Sequence, residues 1–385
     1  MSARRQFTAL LCCVWLGFAL SLLGAQDGTQ DGAGELDDLF ADPAADIVAE
    51  QPEVDHRAAY EEEAKVSVKG KFSATGGVAA GWQAWDMFNN PAASFDGSIG
   101  LTSTASVSFD ARPDPRFRVF GSFSAGFDPL AGAAGWSAPA ISELYADYIL
   151  ADTLYTRLGK HSSGWGQGRL FNPANLMSDS GTNYHIRFSL PAWSSLNLVL
   201  LSNKAVSYQQ LVYAAKADFV LLNTLISPAL RFNWNDGLKS ALSLKKVAFK
   251  TDLFADVVLH SGTQLLSLTA MAGFFREWPD VLLYGEYQFK WTEPLAFAHD
   301  AALALGFNNI FGTPLDFGVQ ARHNFMDHSG SVTLGLTQPL WPFVKLEIGL
   351  PIVYGAEGSS AVLTNADPGG RCILLAVALT LSGGF

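Results

Sequence analysis

Cysteine is scarce: there are 3 in 385 residues, two of them within the first 25. That excludes a disulfide scaffold and a cysteine-based zinc module. Charge is scarce as well, at 16% against 49% hydrophobic residues. The net charge of −11 argues against a nucleic-acid partner, which would call for a basic patch or stripe. Beyond residue 25 no apolar run reaches the ~18–20 residues that a membrane-spanning helix needs. What the chain does have is aromatics, at 12%, and 36 glycines. A disordered chain would be poorer in aromatics and richer in charge. So apolar a body asks for a solvent other than water.

The charge is unevenly placed. Residues 26–64 hold 13 acids and one base, Arg57, for −12. Residues 65–385 carry 22 bases and 23 acids, or −1. The acidic balance therefore belongs to a tail. Its block acidity and few aromatics predict a solvated, disordered segment. Leu36, Leu39, Phe40, Ile47 and Val48 offer a short amphipathic helix for a periplasmic partner as the alternative. Ahead of the tail, Arg4-Arg5, an apolar run from Phe7 to Leu23 and the small pair Gly24-Ala25 predict a signal peptide over 1–25, cleaved after Ala25. Cys12 and Cys13 lie too early in that run for a lipoprotein signal, and cleavage leaves Cys372 as the one cysteine.

From residue 65 onward the apolar period is two. Val66, Val68, Phe72, Ala74, Val78 and Trp82 oppose Ser67, Lys69, Lys71, Ser73 and Thr75. Val344, Leu346, Ile348, Leu350, Ile352 and Tyr354 oppose Lys345 and Glu347. Repeated along the body, the pattern predicts about 18 strands: 66–82, 98–111, 117–127, 142–151, 154–161, 183–190, 195–202, 210–220, 225–234, 238–246, 251–260, 263–275, 281–291, 300–309, 315–325, 330–338, 343–354 and 371–385. Sixteen is the alternative, because 220–265 divides ambiguously. An exported apolar chain without a spanning helix can satisfy its backbone in lipid as a closed β-barrel.

Two further patterns agree. Short connections (112–115, 151–153, 191–194, 277–280, 338–342) alternate with longer ones (83–97, 128–141, 162–182, 355–370), as in barrels with short periplasmic turns and long external loops. Trp193, Trp278 and Trp341 fall in inner turns, and Trp82, Trp234 and Trp291 at outer strand ends, where an amphipathic ring sits at a membrane–water boundary. No fixed repeat length points to a solenoid.

The last run places Ile373, Leu375, Val377, Leu379, Leu381, Gly383 and Phe385 in one register. In this it resembles the closing strand of the bacterial outer-membrane β-barrel family, porins included. The resemblance implies an all-β, antiparallel up-and-down transmembrane barrel over 65–385, in the outer membrane of a diderm, Gram-negative-type bacterium, with the 26–64 tail in the periplasm. It implies outer-membrane lipid as surroundings, the barrel-assembly machinery as a partner that reads Phe385, and small hydrophilic solutes as cargo. Porins commonly form homotrimers, although no interface is legible here. Neither a cofactor nor a metal is expected.

With the apolar parity toward lipid, the polar parity must face the lumen, because a charge on the lipid face costs about 2–4 kcal/mol at the midplane. That places Arg118, Glu143, Asp147, Arg157, His161, His185, Arg187, Lys216, Asp218, Arg231, Asp256, Glu286, Lys290, Asp316, Arg322, Lys345 and Glu347 inside. The bases Arg118, Arg157, Arg187, Lys216 and Arg231 crowd strands three to nine, and such a ladder favours anions. A lumen of 16–18 strands is too wide for side chains alone to fill, which favours a water-filled channel.

The glycine-rich connection 162–182 lies between strands five and six. Its Gly-Lys…Trp-Gly-x-Gly-Arg wording (Gly159 to Arg169) resembles that of substrate-selective porins, whose loop at this place folds inward. By that resemblance it narrows the channel, with Arg157 and Arg169 as polar contacts. The pore-lining candidates are thus Arg118, Arg157, His161, Arg169, His185, Arg187, Lys216 and Arg231. Two alternatives stand beside a channel. His161, Ser163, Gly164 and Asn175 resemble the serine-hydrolase constellation of outer-membrane phospholipase A, although Gly164 replaces an asparagine. A non-conducting surface protein such as an adhesin is the other.

Overall fold

The structure is a computed structural model that describes residues 65–82, 96–128, 135–177, 183–191, 195–201, 208–262, 266–293, 296–356, 358–365 and 373–384. The expected signal peptide, the acidic tail, Trp193, Cys372 and Phe385 lie outside the described residues.

Eighteen strands form one sheet. They are β1 (Lys65–Trp82), β2 (Asp96–Asp114), β3 (Phe117–Phe127), β4 (Ala140–Leu150), β5 (Leu154–His161) and β6 (Asn183–Pro191). Next come β7 (Ser195–Leu201), β8 (Val212–Leu221), β9 (Thr224–Asn233), β10 (Gly237–Ala248), β11 (Thr251–Ser261) and β12 (Leu266–Trp278). The last six are β13 (Val281–Thr292), β14 (Ala296–Phe307), β15 (Asp316–Asn324), β16 (Ser329–Trp341), β17 (Val344–Tyr354) and β18 (Ile373–Gly384). Each pairs antiparallel with its neighbours in the chain, and β18 returns to pair with β1 from Lys71↔Gly384 to Trp82↔Ile373. The ring is closed, so no edge strand is left to pair elsewhere. A short helix, α1 (Ser360–Asn365), sits in the β17–β18 connection.

The ambiguous stretch 220–265 resolves into β8 to β11, which settles eighteen strands over sixteen. The largest shift of a strand start is at β14, which begins at Ala296 rather than 300 because His299 and Ala298 continue the ladder opposite Phe289 and Lys290. The connections at 112–115 and 338–342 are shorter than the prolines suggested. β2 runs to Asp114 and β16 to Trp341, each through a register shift at its proline. A proline cannot donate to the ladder, and a local irregularity is where a sheet accommodates one.

The two parities separate as the period-two pattern requires. On β11, Phe254, Asp256 and Val258 are buried while Leu253, Val257 and Leu259 are exposed. On β9, Ser227, Ala229, Arg231 and Asn233 are buried and Leu230 is exposed. Buried polar residues on one parity and exposed leucines and valines on the other mark an inward polar face within an apolar outer belt. One sector of the inner face, from β16 through β18 to β3, is lined by hydroxyls. Thr75 and Thr380 share a hydrogen bond (3.1 Å), Thr380 donates to Glu347 (2.9 Å), and Ser124 pairs with Ser142 (3.1 Å).

Candidate functional site

The inner wall from β2 to β10 carries the bases. Arg118 is bidentate to Asp110, with both contacts at 2.9 Å, and its other nitrogen lies 3.7 Å from Asp147. Arg157 is bidentate to Asp147 at 2.6 and 3.0 Å and stacks its guanidinium 4.1 Å from the Tyr145 ring. Planar fork-to-carboxylate pairs of this kind fix the guanidinium plane as well as its charge. Arg187 donates to the neutral groups of Ser189 and Asn197. Lys216 pairs with Asp218 at 3.2 Å. Arg231 and Lys239 both reach Asp236, at 2.8 and 3.2 Å. Burial pushes the Asp236 carboxyl up, but Lys239 and Arg231 outweigh it and hold it below the usual carboxylate range.

Because Arg112 also contacts Asp110, five bases (Arg112, Arg118, Arg157, Arg231 and Lys239) share three carboxylates. Among the described residues this wall carries more bases than carboxylates.

Across the lumen the wall is different. The connection after β5 turns inward, and five consecutive backbone N–H groups converge on two wall carboxylates. Gln167 and Gly168 donate to Asp256 Oδ2 on β11, at 3.1 and 3.3 Å. Arg169 donates to Glu286 Oε1 on β13 at 2.7 Å, and Leu170 and Phe171 donate to its Oε2 at 3.0 and 2.5 Å. β13 lies eight strands from β5 in a ring of eighteen, so the loop reaches nearly the opposite side of the barrel.

Apolar side chains seat both ends of this crossing. Leu170, with Phe171 beside it, packs among Phe254, Met271, Phe275, Leu282, Tyr284, Ala302 and Ala304. Trp165, Ala174, Leu176 and Met177 pack on Val199, Ala214, Ala229, Ala241 and Val258. A fully buried leucine side chain contributes about 1.5–3 kcal/mol. Glycine is required at two points. Gly166 has φ +94°, and a Cβ on Gly168 would fall 1.8 Å from the Phe171 carbonyl oxygen and 2.6 Å from the Met271 methyl. Only a residue without Cβ can turn so tightly against a wall. Arg169, expected as a polar contact, lays its guanidinium 4.4 Å from the Phe275 ring while its own N–H holds Glu286.

His161 and His185 are brought together at the foot of the loop, both buried, with ring centroids 3.5 Å apart. Ser163 shares a hydrogen bond with His185 Nε2 at 3.0 Å, while among the described residues neither ring nitrogen of His161 makes a side-chain hydrogen bond. Asn175 Oδ1 accepts the Trp165 N–H at 3.0 Å. The constellation His161, Ser163 and Asn175 therefore does not assemble as a hydrolase triad: the serine partners the other histidine, and the amide that would orient an imidazole is committed to the loop backbone. Asp256 and Glu286 were legible only as inward polar residues. Their role as acceptors for a loop some ninety to a hundred and twenty residues upstream left no local signal.

No protein-family model matches the chain, and no curated protein sequence is similar to it. Its fold is shared with solved structures. Pseudomonas aeruginosa OccK2 (OpdF) superposes with a TM-score of 0.55 at 11% identity, covering 83% of this chain and 98% of that one. The outer membrane protein OpdK of the same species gives 0.52 at 10%, over 83% and 99%. A BenF-like porin from Pseudomonas fluorescens Pf-5 gives 0.53 at 8%, over 83% and 99%. At such identities the likeness is one of architecture, and it covers nearly all of each neighbour. The chain is a closed eighteen-stranded barrel with a porin-like outer-membrane fold.

Proposed function

We propose that the protein is an outer-membrane channel for passive diffusion of small hydrophilic solutes, with no catalytic step, and that residues 162–177 form its constriction. The observation that carries this reading is the fivefold backbone clasp of 167–171 on Asp256 and Glu286, which holds a loop across the lumen. A held loop narrows the passage without plugging it if it leaves one wall bare. The loop seats on β7 to β14, where Lys216 and Arg231 are buried, and leaves Arg118 and Arg157 part-exposed beside the passage; wall bases of this kind favour anionic solutes. OccK2, with which the fold is shared, has been solved in complex with glucuronate, a hydroxylated anion. A hydroxyl-rich sector beside a basic one suits cargo of that chemistry.

The test is planar-bilayer recording of the refolded barrel under a salt gradient. Discrete conductance steps with a reversal potential of anion-selective sign are expected. Deleting 164–172 is expected to enlarge the steps. A folded but silent barrel would sink the channel reading, and unchanged steps after the deletion would sink the constriction.

A further inference from the structure

Two tight turns break the usual rule for their kind. They join β8 to β9 and β10 to β11, on the end of the barrel where β1 begins. Both central residues of each turn have positive φ: Leu222 (50°) with Asn223 (56°), and Phe249 (54°) with Lys250 (59°). Such turns favour Asn-Gly or Asp-Gly, and a bulky residue in the left-handed region is strained. The sequence nevertheless sets a leucine and a phenylalanine there, 84% and 94% exposed. Val220 and Val247, on the inward parity of the same hairpins, are also exposed, at 70% and 63%. Register puts these hairpins side by side, with Lys246 opposite Thr224. Lipid outside the barrel cannot reach inward-facing valines at the mouth. Strained outliers that build an apolar patch argue for an occupant.

The chain holds a segment of matching chemistry. Residues 35–42 read Glu-Leu-Asp-Asp-Leu-Phe-Ala-Asp, an apolar trio among acids, and the patch is bordered by Lys246 and Lys250. The tail joins the barrel at Lys65, on the same end. From Phe40 to Lys65 is 25 residues. As a flexible chain they span about 25–30 Å on average and at most about 90 Å extended. The barrel is about 35 Å across, and β9 lies opposite β1, so the patch is within reach.

We infer that residues 35–42 dock on the Leu222–Phe249 patch, with their leucines and Phe40 on the apolar residues and their acids toward Lys246 and Lys250. The docking rests on the fold alone.

The contact is tested in the full chain with Cys372→Ser, by disulfide trapping of Phe40→Cys with Phe249→Cys and mass spectrometry of the linked peptides. Phe311, 96% exposed on the β14–β15 connection of the same end, supplies the control pair Phe40→Cys with Phe311→Cys. Docking predicts intramolecular linkage at 249 about tenfold faster than at 311. Equal rates would mean a freely sweeping tail, and links only between molecules would mean that a second copy covers the patch; either overturns the inference. The second arm adds Leu36→Ser and Leu39→Ser to the Phe40→Cys, Phe249→Cys chain, which should bring the rate at 249 down to that at 311; a rate that stays selective would overturn the apolar contact.

Discussion

Two stretches of the same inner face use the same side chains for opposite ends. On β2 to β10 the carboxylates Asp110, Asp147 and Asp236 serve as counter-ions, each shared by two bases. On β11 and β13 the carboxylates Asp256 and Glu286, with Lys216 and Arg322 near them, hold a backbone. The difference lies in what surrounds them. On β2 to β4, where the loop does not seat, Asp110 and Asp147 neutralise arginines. Beside Phe254, Met271, Phe275 and Leu282 the wall is covered, and the acids fasten the cover. An inward carboxylate is thus a counter-ion or a fastener according to whether the loop seats beside it.

The sharpest way to break this contrast is to remove the fasteners. Asp256→Asn with Glu286→Gln replaces charged acceptors by amides whose N–H groups face N–H donors. Each hydrogen bond to a charged group is worth about 1.5–3 kcal/mol, and five are weakened. The loop should leave the wall, and single-channel conductance should rise several-fold. A channel of unaltered conductance would show that the clasp does not hold the constriction.

Next in size is Asp147→Asn, which strips the shared counter-ion from Arg118 and Arg157. Breaking a buried ion pair by removing one partner costs about 3–5 kcal/mol, less here because both arginines are partly exposed. The reversal potential should move toward anions while the conductance step stays near its original size. Arg187→Gln should act more weakly and in the other direction. That side chain donates to Ser189 and Asn197, and its loss should lower anion preference by about twofold.

The smallest effect is expected in the β15–β16 turn. The slight burial of Asp327 pushes its carboxyl up, but hydrogen bonds from Ser329 and Ser360 outweigh that and hold it well below the usual carboxylate range. A carboxyl depressed by folding stabilises above its unfolded value, near pH 4, and that support is lost as pH falls through the lower folded value. Amide exchange at Ser360 and Ala361 should therefore stay slow at mildly acidic pH and quicken only under strong acid. Asp327→Asn should quicken it at every pH.

Much of the fold could be read directly. The period of two, the alternation of short and long connections and the parity of Arg118, Arg157, Arg187, Lys216 and Arg231 each follow from lipid outside and water inside. The loop's destination did not follow. Residues 167–171 meet β11 and β13 through backbone groups, and a peptide N–H carries no sequence signature. One trace was present. The inward parity of β12 and β13 carries Met271, Phe275, Leu282 and Tyr284 around Glu286, which an open lumen does not explain and a covered wall does. The pairing of Ser163 with His185 rather than His161 likewise depends on β6 lying beside β5, with Gly159 opposite His185.

The β1–β18 seam governs how such a molecule comes into being. Every other ladder joins segments adjacent in the chain and can zip as a hairpin, but this one joins residues 305 apart, as at Thr75 and Thr380. It needs both end strands in place, and until it forms both of its edges stay bare. During that interval the nascent sheet is a long apolar ribbon with two open edges, the form most prone to aggregate. The finished ring resists opening everywhere: opening it anywhere but at the seam splits a hairpin, and opening it at the seam breaks twelve residue pairs at once. Lifetime, rather than equilibrium stability, is what closure gives this protein.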